Sequence, residues 1–133
     1  MSRVMIYQPR PIGDEGQAVL NRQGHEVVAC ENREALFEAM AQRRPDIVVY
    51  VLGDELALDL GLLSMLRRLA PSLPIILLGG PAGIEARRTV QDLKPTYYGV
   101  FPLDPTELAD AVRGALSPHG RAPAARPRGG PPA

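Results

Sequence analysis

The sequence predicts an α/β fold: a doubly wound sheet of five parallel strands, covered by helices on both faces in three layers. Three observations carry this. Short apolar runs alternate with helical patterns along the whole chain up to residue 116. The middle runs, Ile47-Val48-Val49-Tyr50-Val51 and Ile75-Ile76-Leu77-Leu78, are continuous and apolar, as strands buried on both faces are. A helical pattern separates each strand from the next, which is the connection that parallel neighbours require.

The elements follow in order. Residues 4–7 read as a buried strand. Residues 13–22 read as a first helix, with Ala18, Val19 and Leu20 inside it and Gly24 as its stop. Residues 26–29 form the second strand. Residues 33–43 form a helix with Leu36, Phe37, Ala39 and Met40 on one side, ended by Pro45. Residues 46–52 are the third strand. Residues 59–70 are a leucine-rich helix in which Leu60, Leu63, Leu66 and Leu69 recur at helical spacing. Residues 74–78 are the fourth strand, 84–93 a modest helix, and 97–101 the fifth strand. Asp104 caps the last helix, with Pro105 at its first position and Glu107 at the capping-box position. That helix runs to about residue 116, with Leu108, Ala111, Val112 and Ala115 as its apolar stripe. Right-handed crossovers make the flavodoxin-like sheet the simplest topology for this order, with its functional edge at the carboxyl ends of the strands.

Composition bounds the function. The 133 residues suit one domain, read as 1–116, followed by a Pro, Gly, Ala and Arg tail at 117–133 that is expected to be disordered. Three of the 15 basic residues, Arg121, Arg126 and Arg128, lie in that tail. The remainder holds 12 basic against 15 acidic residues, a net charge of −3, which disfavours nucleic acid as a partner. Cys30 is the single cysteine, so no internal disulfide or paired zinc motif exists, and it reads as a small buried apolar residue. The apolar run before Gln8 is too short for a signal peptide or a membrane span, and a cytoplasmic location is the expectation. His25 and His119 have no partners at metal or triad spacing, and no nucleophile–base pair appears. An enzyme is therefore not expected, nor a bound cofactor or metal.

Several segments together resemble the receiver domain of bacterial response regulators, over about residues 3–116. They are Gly24-His25-Glu26-Val27-Val28-Ala29, Asn32-Arg33-Glu34-Ala35-Leu36, Arg44-Pro45-Asp46-Ile47-Val48-Val49, Pro74-Ile75-Ile76-Leu77-Leu78 and Phe101-Pro102-Leu103-Asp104-Pro105-Thr106-Glu107-Leu108. The resemblance implies a two-component signalling module. It also implies a phosphorylation pocket: an acidic pair after the first strand to hold Mg²⁺, an Asp ending the third, a Ser or Thr after the fourth and a Lys after the fifth. Such chemistry needs hard oxygen ligands for the cation and positive charge for the phosphate.

Carried over position by position, these places hold other residues. The acidic pair falls on Gln8 and Pro9, the acceptor on Val51, the hydroxyl on Gly79 and the lysine on Phe101. The following proline is kept as Pro102, and the switch aromatic of receivers corresponds to Tyr98. The expectation is a pseudo-receiver that binds a protein partner without phosphorylation. Asp54 and Glu55, in the loop after the third strand, read either as a weak cation site or as loop acids and caps of the next helix. Asp14 and Glu15 read as acids favouring the start of the first helix.

The implied partner face joins the helix at 84–93, the fifth strand and the last helix. It carries Arg87, Arg88, Gln91, Tyr97, Tyr98, Asp110 and Arg113, with the Arg and Tyr types that interfaces favour. The partner would be a kinase, a scaffold, another regulator or a second copy. A different class of function attaches to Gly79-Gly80-Pro81. Glycine after a buried strand admits a ligand close to the backbone. The stretch from Arg44-Pro45-Asp46 to Gly80-Pro81 also resembles cobalamin-binding domains, though the cobalt-ligating histidine has no counterpart. The alternative expectation is thus a cobalamin- or nucleotide-like ligand at that loop.

Overall fold

A computed structural model of the chain describes residues 2–9, 14–53, 55–79, 88, 95–100 and 104–117. The elements are β1 (Arg3–Tyr7), α1 (Asp14–Arg22), β2 (Glu26–Cys30), α2 (Arg33–Gln42), β3 (Ile47–Val51), α3 (Leu56–Leu69), β4 (Ile75–Gly79), β5 (Tyr97–Val100) and α4 (Pro105–Leu116). The predicted helix at 84–93 and the tail from 118 lie outside the described residues, as do Asp54, Gly80, Pro81, Arg87, Gln91, Phe101, Pro102 and His119.

All five strands pair in parallel, in the order β2-β1-β3-β4-β5. The strand order reverses between β1 and β3, so the ligand edge of such a sheet lies at the carboxyl ends of those two strands. Every residue of β3 and β4 is buried, as their unbroken apolar sequence requires. Alternate side chains go to opposite faces. Met5, Tyr7, Val48, Tyr50, Leu52 and Leu77 pack with α2 and α3 on one side. Val4, Ile6, Val49, Val51, Ile76 and Leu78 pack with α1 and α4 on the other.

Local signals place the helix ends. Gly24 takes φ +92°, donates to Asn21 O, and lets His25 N–H reach Leu20 O, the paired bonds of a glycine C-cap. Asn32 caps α2 by accepting from Ala35 N–H at 2.8 Å. Asp104 caps α4 through Thr106 N–H at 3.3 Å. Glu107, expected to complete a capping box, accepts the Tyr97 hydroxyl at 2.6 Å. The helix expected at 59–70 begins three residues earlier, at Leu56, because Leu56, Ala57 and Leu58 are good helix formers. Its buried side is Asp59, Leu62, Leu63 and Leu66, whereas Leu69, one of the leucines that recur at helical spacing, is exposed. Cys30 is buried, its thiol 3.6 Å from Ala35 O, and burial pushes the thiol pKa up, as a structural cysteine requires.

Candidate functional site

The register sets the carboxyl edge of the sheet. Tyr7 lies beside Tyr50, Val51 beside Leu78, and Gly79 beside Val100. Gln8 follows β1 and donates its backbone N–H to Cys30 O at 2.9 Å. Gln8, Val51 and Gly79 are thereby brought to one edge, with Pro9 exposed next to Gln8. Phe101 lies outside the described residues.

At this edge the described residues Gln8, Val51 and Gly79 are all buried. The Val51 side chain is 1% exposed and belongs to the α1–α4 core. Gln8 is 4% exposed. Gly79 is buried beneath Tyr98: a Cβ on Gly79 would collide with the Tyr98 hydroxyl, lie 3.1 Å from its Cζ, and lie 3.3 Å from Leu52 Cδ1. Tyr98 therefore turns inward over β4, against Gly79. A ligand approaching Gly79 from that side meets the Tyr98 ring, which bears on the ligand-loop reading of Gly79.

A second feature lies on the same edge and escaped the sequence reading. Asp59 is 4% exposed, and its carboxylate faces inward from α3. It accepts the Tyr50 hydroxyl at 2.7 Å and the Gly53 backbone N–H at 2.8 Å. The Tyr50 ring rests against Tyr7, with centroids 4.7 Å apart and planes inclined by 36°. Burial, and next the hydrogen bond to Asp59, push the Tyr50 phenol well above its usual range, so it stays protonated and donates. Burial and then the Asp59 charge also raise Tyr7, against a smaller pull from Arg33. The loop after β3 is thus held from within, and one of its backbone donors is consumed by a carboxylate of the chain itself. Glu55 stands exposed at the N-cap position of α3 without a side-chain capping bond. Among the described residues no group of three His, Cys, Asp or Glu is arranged to hold a metal ion.

The expected partner face is divided by the sheet. Tyr97 packs toward α4, and its hydroxyl meets Glu107. Tyr98 points to the opposite face and joins the α2–α3 core. Asp110 and Arg113 are exposed and form an ion pair of 2.7 Å along α4. Arg88 is exposed. A surface cleft lies elsewhere, at the amino edge, over Met5, Val28, Ala39 and Pro45. Its rim arginines, Arg3 and Arg43, both bind Glu26, at 3.1 and 3.2 Å.

The architecture is the receiver fold. A response regulator receiver domain protein from Clostridium thermocellum superposes with a TM-score of 0.74 at 15% identity, over 87% of this chain and 94% of that one. A CheY-like receiver domain protein from Methanospirillum hungatei JF-1 gives 0.75 at 19% identity, over 87% and 94%. The receiver domain of NtrX from Brucella abortus gives 0.75 at 21% identity, over 85% and 97%. No protein-family profile and no curated protein matches the sequence. Among the described residues no helix is long and apolar enough to cross a membrane.

Proposed function

We propose that this chain is a pseudo-receiver: a phosphorylation-independent protein-interaction module of bacterial two-component signalling that acts by binding and not by catalysis. The observation that carries the reading is the inward Tyr98 over Gly79, beside a Val51 sealed into the core. Phosphoryl transfer needs an acceptor oxygen, a cation held by oxygen ligands and room for the phosphate. This edge offers Val51 as acceptor, Gln8 and Pro9 in place of acids, and an aromatic ring in place of a hydroxyl.

The partner surface we assign is the β5–α4 side, with Tyr97, Asp110, Arg113 and Arg88; Arg87 and Gln91 complete it in sequence. The Tyr97–Glu107 hydrogen bond supports this, because it fixes an interface-type aromatic on the helix that would dock. With Tyr98 already inward, binding competence does not wait for a phosphate. The partner is a signalling protein that reads this surface constitutively.

The test is incubation of the intact chain with acetyl phosphate and Mg²⁺, followed by intact-mass measurement. No phosphoryl adduct is expected. An acid-stable, base-labile adduct on an aspartate would overturn the reading, and Asp54 would be the first residue to map.

A further inference from the structure

Helix α3 carries its own unpartnered face. Among the described residues, the exposed large hydrophobics are Leu58, Met65 and Leu69, at 42%, 48% and 50% exposure. Single exposed leucines are ordinary. These three all lie on one helix, spaced seven and four residues apart, so they form one stripe, which borders the buried Leu62. Gly61 lies exposed on the same stripe, and a Cβ there would meet nothing within 4 Å.

We propose that this stripe is a homodimer interface, in which two copies of α3 cross antiparallel about a two-fold axis near Gly61. About an axis between positions 61 and 62 the middle of this face is complementary to its own reverse, while Leu69 falls opposite position 54 in sequence and adds nothing to the apolar centre. A two-fold axis between positions 61 and 62 sets Leu58 against Met65 of the second copy. The same axis sets Glu55 against the second copy's Arg68, both exposed. Apolar residues thus meet at the centre and opposite charges meet at each end, about 20 Å apart along the helix. Gly61 gives the backbones their closest approach at the crossing point. Antiparallel helices also align their dipoles favourably. One helix pair buries a small area, so the dimer is weak, with dissociation in the micromolar range. The proposal rests on α3 alone, apart from the β5–α4 surface.

The experiment is sedimentation velocity on the full chain, from about 1 to about 500 µM, where an interface of this size dissociates. The expected result is a reversible monomer–dimer equilibrium. Met65→Glu weakens it by about 100-fold or more, because a charge then enters the apolar centre. Glu55→Arg alone, or Arg68→Glu alone, weakens it about tenfold, since each turns two symmetric contacts repulsive. The two charge changes together restore wild-type dissociation, a rescue that only the antiparallel pairing of identical helices produces. These positions are exposed, and far-ultraviolet circular dichroism of each variant confirms the fold. A chain monomeric throughout, a dimer indifferent to Met65→Glu, or failure of the double variant to regain affinity overturns the proposal.

Discussion

The Tyr98 hydroxyl occupies the space that any side chain on Gly79 would need. The two residues sit on neighbouring strands, in a register that sets Leu77 beside Tyr98 and Gly79 beside Val100. Glycine at position 79 and an inward tyrosine at position 98 are therefore one feature. The ring fills what the missing side chain leaves, and Leu52 closes the other flank.

That relationship predicts the effect of adding a side chain. Gly79→Ala places a Cβ against the Tyr98 ring in a packed interior, where overfilling costs about 1–3 kcal/mol. The ring is expected to turn outward, since β4 is fixed by strands on both sides. Urea denaturation of Gly79→Ala, Tyr98→Ala and the double variant checks this. The cost of Gly79→Ala should largely vanish in the Tyr98→Ala background.

The Asp59 network makes a second prediction. Tyr50→Phe removes one donor from a carboxylate that remains buried, and the expected loss is about 1–3 kcal/mol. Asp59→Ala removes the acceptor of both Tyr50 and Gly53 and is expected to destabilise at least as much. Chemical denaturation measures both. Backbone amide exchange at Gly53 should quicken in Asp59→Ala, because its N–H loses its partner.

Alkaline pH supplies a third. Burial, and then the hydrogen bond to Glu107, push the Tyr97 phenol up to about 12. Tyr50 and Tyr7 are raised as well, chiefly by burial. A phenol raised in the folded state contributes stability that is complete below the unfolded value near 10 and is lost as pH rises through the folded value. Thermal stability should thus stay level through neutral pH and fall between about pH 10 and about pH 12. Tyr97→Phe should make that fall shallower. A melting temperature unchanged across this window would contradict the assignment.

The fold was legible because its signals are strong and local. Ile47-Val48-Val49-Tyr50-Val51 can bury both faces only as an inner strand, and Asp104 marks a helix start that the structure keeps. The site was less legible. Asp59 looks like a solvent-facing acid within a leucine helix, yet it shares the stripe of Leu63 and Leu66, four and seven residues on, and that spacing was its one signal. The resemblance puts Tyr97 and Tyr98 on one partner face, but successive strand residues face opposite ways, so one packs toward α4 and the other covers Gly79. The inward turn of Tyr98 depends on a glycine 19 positions earlier in sequence, a pairing that only the β4–β5 register creates.

The pseudo-receiver proposal requires a carboxyl edge that neither holds Mg²⁺ nor accepts a phosphoryl group. The direct measurement is an amide NMR titration of the chain with Mg²⁺ and then beryllofluoride, a phosphoryl mimic. Resonances at Gln8, Val51, Gly53 and Gly79 are expected to stay unmoved, with no change at Tyr98. Saturable shifts at those positions, spreading to Tyr98, would mean that the edge opens to a phosphate and that the domain is a switch after all.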